Sequence, residues 1–294
     1  MSVRLALAKR MRQYWPKRDY KQHVFLHIGT PKTGTTSIQT FLGLQKEYLQ
    51  RNGFALCCSP RDKPNFKELF HASVLPSRRS DMILAKPKGG YFFLKWRIKR
   101  HIRQVVNGNS NASLIASTEV LSWLRHPVEI ARLRELFPAG TTFTVILCLR
   151  EKEDFIASYK RQLDARKIPY GTRQGQRNYV EKDTWLLDYD GIRAAFETLT
   201  DDIRVIDYEK VNRSGQNIIK TFCRTIGVVE APDPSTLLML NQRSAFDFSR
   251  RNFVHFNRPA VLHRLPALSE LASPAHRIQA PDHREHGQPS PHLQ

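Results

Sequence analysis

HVFLHI, from His23 to Ile28, runs directly into GTPKTGTTS, from Gly29 to Ser37, and this junction of an apolar run with a Gly- and Thr-rich loop indicates the class of fold. The apolar run has the length of a buried strand. After the loop, apolar residues recur at helical intervals from Thr35 to Leu49, which predicts a helix that stops at Asn52-Gly53. Backbone N–H groups at a helix start favour an anion, and glycines let phosphate oxygens approach the backbone closely. The sequence therefore predicts a strand–loop–helix unit that binds phosphate.

The alternation of strand-like and helix-like runs continues along the chain. A helix with acids in its first turn follows Arg150, and another is predicted from Asn217 to Ile226, closed by Gly227. Strands alternating with helices favour a parallel sheet covered on both faces, which is a three-layer α/β fold. The further predicted strands are 114–117, 142–149 and 203–206.

The loop differs from that of nucleoside triphosphatases. Their motif is GxxxxGK[ST], with lysine directly after the second glycine. Here Thr35 follows Gly34, and the lysine is Lys32, inside the loop. The hydroxyl that would hold Mg²⁺ is therefore out of register, and no acidic metal ligand is evident. The loop predicts phosphate binding, with no metal expected.

The segment TPKTGTTS after a strand resembles the 5′-phosphosulfate loop of sulfotransferases that use 3′-phosphoadenylyl sulfate (PAPS). LCLREKEDFIASYKRQ places Arg150 at a strand end and Ser158 on the next helix, similar to the family's 3′-phosphate element. Tyr208-Glu209 resembles the Tyr-Glu that the family places near adenine. The resemblance, over about 23–258, implies a P-loop-like sulfotransferase fold that binds PAPS and its product PAP. The cofactor-binding residues it implies are Lys32, Thr33, Gly34, Thr35, Thr36, Arg150, Ser158 and Tyr208.

Strand order supports a common site for these residues. Lys32, Glu119, Arg150 and Tyr208 each follow a different strand-like run. Because ligands of open parallel sheets bind outside the carboxyl ends of the strands, the four side chains are expected along one edge. An arginine there can donate two parallel hydrogen bonds to phosphate. The alternative is that Arg150 only forms an ion pair with a nearby glutamate at the surface.

Sulfuryl transfer, the reaction implied by the resemblance, needs two charged groups. Negative charge grows on the oxygen that leaves sulfur, and Lys32 is the candidate that stabilises it. The attacking hydroxyl must lose its proton, and Glu119 is the candidate base. An alternative role for Glu119 is a helix N-terminal acid, with Thr118 or Ser117 as the cap. His27 and His126 are alternative candidate bases. Like Ser117 and Thr118, they lie within the predicted domain.

Two departures from one branch of the family point to the acceptor. Sulfotransferases of small phenols and steroids place Trp after the threonines, where this chain has Ser37, and their C-terminal RKGxxGDW segment is missing. In its place stands the segment from Asn241 to Arg258, which is more similar to bacterial and carbohydrate sulfotransferases. Arg243 is the candidate third contact to the 3′-phosphate. The expected acceptor is a hydroxyl, or an amine, of a carbohydrate or glycolipid.

Composition bounds the remaining possibilities. The 294 residues include 47 Lys+Arg against 27 Asp+Glu, a formal charge of +20 that favours anionic partners. No apolar run approaches the roughly 20 residues that span a bilayer. The N-terminal apolar stretch is too short for a secretory signal, and the spacing of the four cysteines fits neither a disulfide framework nor a zinc site. A cytoplasmic location is expected, with contact to the cytoplasmic face of a membrane left open.

Three regions differ in composition. Residues 1–22 form a basic extension with interleaved apolar residues, interpreted either as a solvated, partly disordered segment or as a helix on a membrane surface, while 23–262 form the α/β domain. The Pro/His-rich residues 263–294 are expected to be disordered. Within the domain, the basic, aromatic segment 76–104 is interpreted either as a surface for an anionic saccharide or lipid-linked glycan or as a solvated helix.

Two other classes of function remain as alternatives. A P-loop-like kinase would require Mg-ATP and a metal-binding acid. A non-catalytic protein that binds nucleic acid or a membrane would explain the charge, but it does not explain two phosphate elements at strand ends. We therefore expect an enzyme, without nucleic acid as its partner.

Overall fold

The computed structural model describes residues 22–228. The predicted tail at 263–294, the candidate Arg243 and almost all of the basic extension lie outside the described residues. Within them, none of the helices combines the length and the apolar character that a membrane span needs.

A five-stranded, all-parallel sheet forms the centre of the domain, in the order β2-β3-β1-β4-β5. The predicted strands were right in position, and β4 begins and ends at the predicted residues. The short edge strand β2 was not predicted, because three residues carry no readable period. The strands are β1 (His23–Gly29), β2 (Phe54–Leu56), β3 (Ser113–Ser117), β4 (Thr142–Leu149) and β5 (Ile203–Asp207).

Helices cover both faces of the sheet, so the three-layer prediction is confirmed. Along β1, Val24, Leu26 and Ile28 pack against one layer, whereas Phe25 packs against the other. Burial of alternate residues on opposite faces explains why β1 is apolar throughout. The first layer holds α3 (Glu68–Ser73), α4 (Gly90–Gly108), α5 (Pro127–Arg134), α6 (Lys152–Ala165) and α7 (Tyr189–Glu197). The second holds α1 (Thr35–Leu44), α2 (Lys46–Arg51), α8 (Tyr208–Arg213) and α9 (Ile218–Thr225).

The helix ends refine the sequence interpretation. The helix predicted from Thr35 to Leu49 is divided at Gln45 into α1 and α2. The C-terminal cap of α9 is confirmed: Gly227 has a φ of 89°, and the Val228 N–H donates to the Cys223 carbonyl at 2.9 Å. This hydrogen bond satisfies a carbonyl of the last turn, as glycine-capped helix ends commonly do.

Candidate functional site

A cleft of about 380 Å³ opens at the carboxyl ends of the central strands. The four residues expected along this edge, Lys32, Glu119, Arg150 and Tyr208, all line it, so the topological argument is confirmed. The lining residues are Pro31, Lys32, Gly34, Thr35, Thr36, Lys67, Glu119, Val120, Trp123, Arg150, Ser158, Tyr159, Gln162, Leu163, Arg166, Ile168, Arg177 and Tyr208.

The loop between β1 and α1 is fixed to the neighbouring strand. The backbone N–H of Thr30 donates to the Cys148 carbonyl at 2.7 Å, and its hydroxyl donates to the same oxygen at 3.1 Å. The hydroxyl of Thr33 donates to the Thr30 carbonyl at 2.6 Å, and Thr33 is 0% exposed. Of the predicted loop residues, Thr33 thus turns its side chain into the protein, and Lys32, Gly34, Thr35 and Thr36 line the cleft.

Two glycines bring other elements close to the loop. A Cβ on Gly29 would lie 2.8 Å from the Cα of Glu119, and a Cβ on Gly34 would lie 3.2 Å from the Tyr208 ring. Both glycines have positive φ, and Lys32 between them has a φ of 67°. A non-glycine residue in this region is uncommon and accompanies functional loops. Lys32 lines the cleft together with Glu119 and Tyr208.

The start of α1 has no side-chain cap. Gly34 occupies the N-cap position without a side-chain hydrogen bond, and Thr35 and Thr36 form the first turn. The first N–H groups of a helix have no partner within the helix, and the helix dipole makes this end electropositive. The N-terminus of α1 is therefore suited to receive an anion in the cleft.

Positive charge dominates the cleft, which is lined by five cationic side chains and a single carboxylate. Burial, together with the charges of Arg150, Arg166 and Arg161, holds the pKa of the Lys32 ammonium below its ordinary value. An anion bound beside Lys32 would offset this repulsion, because opposite charge favours the protonated form. The cations are Lys32, Lys67, Arg150, Arg166 and Arg177.

Arg150 lies directly after β4 and connects the loop to α8. Its Nε donates to Glu209 at 3.0 Å, and its Nη1 donates to the Lys32 carbonyl at 3.0 Å. The guanidinium lies 5.3 Å from the centre of the Tyr208 ring. The ion-pair alternative is thus partly realised, but the pair is largely buried and forms a wall of the cleft. Among residues 22–228 no side chain or carbonyl binds Nη2.

Ser158 and Tyr208 complete this side of the cleft. Ser158 lies on α6, two turns after Arg150, and is 9% exposed. Tyr208 is the first residue of α8, where the Asp207 carboxylate accepts a hydrogen bond from the Lys210 N–H at 2.9 Å. The predicted 3′-phosphate and adenine elements therefore face one space.

Glu119 lies across the loop from these groups, just after β3. Its Oε2 accepts hydrogen bonds from Gln39 at 2.8 Å and from Asn65 at 2.9 Å. The alternative role is realised in position, because Thr118 is the N-cap residue of the short 3₁₀ turn Glu119–Trp123 and Glu119 is the acid of its first turn, but Thr118 forms no side-chain capping hydrogen bond. The two amides orient the carboxylate, and its Oε1 has no hydrogen bond to the described residues.

The two histidines lie elsewhere. His27 is fully buried on the α1 side of the sheet, where its Nδ1 is 2.8 Å from Ser117 Oγ. Burial lowers the pKa of the His27 imidazole to about 4. His126 is exposed at the start of α5. Neither lines the cleft, whereas Glu119 does.

Sequence reasoning missed Lys67, Trp123, Arg166 and Arg177, although all four line the cleft. They belong to helix ends and connections, where no motif marks them, and only the overall basic composition indicated the three cations among them. None of the three cations forms an ion pair with another described residue. Between residues 22 and 228, no group of three or more His, Cys, Asp or Glu side chains could hold a metal ion.

Fold and cleft together define a three-layer α/β protein with a cation-rich cleft at the strand ends. No protein-family model matches the sequence, and no curated protein matches it. A sulfotransferase from Alicyclobacillus acidocaldarius is similar in structure, with a TM-score of 0.47 and 15% identity over 75% of this chain and 90% of that chain.

Two further solved structures are similar. A provisionally assigned kinase from Chloroflexus aurantiacus has a TM-score of 0.35 and 11% identity, over 70% of this chain and 97% of its own. A structure from the PezAT toxin–antitoxin system of Streptococcus pneumoniae has a TM-score of 0.33 and 14% identity, over 82% of this chain and 93% of its own. These likenesses concern the arrangement of the chain and assign no substrate to it.

Proposed function

We propose that this chain is a sulfotransferase that moves a sulfuryl group from PAPS to a hydroxyl, or an amine, of a carbohydrate or glycolipid, releasing PAP. One observation carries the proposal: the phosphate loop, the Arg150–Ser158 element and Tyr208 meet in one basic cleft, with Glu119 across the loop. A Gly/Thr-rich turn that occurred by chance would not lie together with two further sequence elements of the kind that bind nucleotides.

The donor fits the half of the cleft between the loop and α8. The N-terminus of α1, with Thr35 and Thr36, would hold the 5′-phosphosulfate end. Arg150 and Ser158 would hold the 3′-phosphate, and Nη2, which has no partner among the described residues, would be one of the donors. Tyr208 would contact the adenine.

The reaction follows from the positions of Glu119 and Lys32. The acceptor oxygen attacks sulfur and forms the new S–O bond, while the S–O bond to the 5′-phosphate of PAP breaks in line. Glu119 takes the acceptor proton, for which its Oε1 is free of other described partners. Lys32 stabilises the charge that grows on the departing phosphate oxygen.

The acceptor would occupy the opposite half, beside Glu119. Lys67 and Arg177 also line the cleft, and the Arg177 guanidinium lies 6.0 Å from the centre of the Trp123 ring. Cations without an ion pair to the described residues favour an acceptor that carries negative charge of its own. A carbohydrate or glycolipid follows from the resemblance of the C-terminal segment.

A kinase that uses Mg-ATP is the second candidate. The observation in its favour is the position of Glu119, a carboxylate at the end of the strand next to the phosphate loop, close to Gly29. A carboxylate there could hold a magnesium ion. Magnesium dependence therefore distinguishes the two candidates.

The deciding experiment is calorimetric binding of PAP without magnesium and of ATP with magnesium. We expect wild type to bind PAP without the metal and Arg150→Ala and Lys32→Ala to bind it more weakly. Arg193→Ala is the control, because this exposed arginine on α7 pairs with Glu197 outside the cleft. A clear preference for Mg-ATP, or equal PAP binding by Arg150→Ala and Arg193→Ala, would reject the sulfotransferase.

A further inference from the structure

The outward face of α4 exposes aromatic side chains to solvent. Its inner row, which repeats every four residues, is buried in the first layer. Its outer side carries Phe92, which is 74% exposed, and Phe93, which is 49% exposed. Phe93 stacks on Trp96 with 5.5 Å between ring centres. The inner row is Leu94, Ile98, Ile102 and Val106.

Cations are close in sequence to these three rings. No Asp or Glu occurs between Asp81 and Glu119, a stretch that includes all of α4. Lys95 turns toward α5 and pairs with Glu135 at 2.5 Å. The exposed cations without an ion pair to the described residues are Lys86, Lys88, Arg97 and Arg100.

We propose that this face, comprising Phe92, Phe93, Trp96 and the four cations, docks the protein on an anionic lipid bilayer. Exposed phenylalanine rings gain free energy by entering the boundary between headgroups and acyl chains, and tryptophan favours that depth. Lysine and arginine beside them meet the negative surface of the leaflet. The positive charge of this face is thus complementary to the negative surface of the bilayer, and the apolar rings can be buried among the lipids.

The geometry favours a bilayer over an acidic polysaccharide or duplex DNA. Trp96 is already engaged by Phe93 and by the Arg100 guanidinium, 5.6 Å from its ring centre, so it does not offer an open platform for a sugar. Duplex DNA would use the cations and leave Phe92 in water. This proposal concerns a surface of α4 and does not rest on the sulfotransferase assignment.

Site-specific labelling tests the proposal in the full chain. The four native cysteines are buried, so a dye sensitive to polarity can be attached to Phe92→Cys. Leu44→Cys, at an apolar residue 49% exposed at the end of α1, is the matched control. With phosphatidylcholine vesicles that contain phosphatidylglycerol, we expect a blue shift of the dye at Phe92→Cys only, and none with phosphatidylcholine alone. No shift, equal shifts at both positions, or a shift with heparin or duplex DNA but not with vesicles would overturn the proposal.

Vesicle binding by unlabelled protein provides the second measurement. Phe92→Ser combined with Phe93→Ser should lower the partition coefficient on the anionic vesicles by at least about tenfold, because two apolar rings no longer leave water. Leu44→Ser should bind as wild type does. Unchanged binding of the double variant would mean that another part of the chain, such as the basic residues 1–21, carries the membrane contact, and would also overturn the proposal.

Discussion

Two cavities lie near strand ends, and they differ in how their charges are balanced. The smaller one, about 270 Å³ beside β2, holds Lys46 paired with Asp62 at 3.0 Å, and its His101 binds the Cys58 carbonyl. The larger cleft holds cations that mostly lack carboxylate partners. Both arise where strands end, so position alone does not distinguish them. The excess of positive charge in the larger cleft therefore favours an anionic ligand there rather than in the smaller cavity.

The largest expected effect separates chemistry from binding within the cleft. Glu119→Gln should lower sulfuryl transfer about 10²–10⁴-fold, the usual contribution of a positioned base, while PAP affinity stays near wild type. Transfer is measured as label moved from PAPS to a panel of oligosaccharides and glycolipids. His126→Asn is the control and should turn over normally. A Glu119→Gln variant with wild-type turnover would remove this residue from the reaction.

A pH measurement tests whether His27, directly behind the loop, belongs to the scaffold. Its buried imidazole is neutral, and burial lowers its pKa from 6.5 to about 4. The unfolded chain binds a proton between these values that the folded chain does not, so stability falls as the pH falls from about 6.5 toward 4. The loss is at most about 3–4 kcal/mol, because each pKa unit corresponds to about 1.4 kcal/mol.

Denaturant unfolding of wild type and His27→Gln across this pH range measures the effect. We expect a shallower pH dependence for the variant, since it has no imidazole to protonate. Equal slopes would show that His27 is already charged or accessible in the folded protein.

Two glycines with similar backbone conformations, one beside the cleft and one outside it, test whether the donor binds where we propose. Gly34 and Gly53 both have positive φ, but a Cβ on Gly34 meets Tyr208 and one on Gly53 meets nothing within 4 Å. Either substitution by alanine should cost about 1–2 kcal/mol of stability from the left-handed backbone. PAP affinity should fall only for Gly34→Ala. Thermal unfolding and calorimetry measure the two effects, and equal affinities would contradict the assigned position of the donor.

The smallest effect comes from the smaller cavity. Lys46→Ala removes an exposed ion pair, worth no more than about 1 kcal/mol, and should leave PAP binding and transfer unchanged. Lys67→Ala removes an unpaired cation of the cleft and should lower kcat/KM for a charged acceptor. The two lysine variants are compared in the same assay. A larger loss from Lys46→Ala would place the ligand in the smaller cavity instead.

Local pattern made part of this architecture predictable. The apolar runs of β1 and β4, the loop between Gly29 and Ser37, and Arg150 at a strand end are each encoded by a few consecutive residues. The parallel order then places the strand ends on one edge. That is why Lys32, Glu119, Arg150 and Tyr208 could be expected together before the structure was known.

The remaining features depend on tertiary packing. Arg166 and Arg177 reach the cleft from the end of α6 and from the connection after it, whose path no local pattern fixes. The inward turn of the Thr33 hydroxyl depends on the Thr30 carbonyl, and the division at Gln45 interrupts an otherwise continuous helical period.

The hydrogen bond from Arg150 to the Lys32 carbonyl links the two ends of the proposed donor site directly. A molecule that carries both phosphate ends would meet a spacing that is already set. Fragments that carry only one end would each bear the full entropic cost of association. A ligand that carries both phosphate ends should therefore have a higher association constant than the product of its fragments' association constants. The hydrogen bond from Arg150 to the Lys32 carbonyl would thus support a chelate effect.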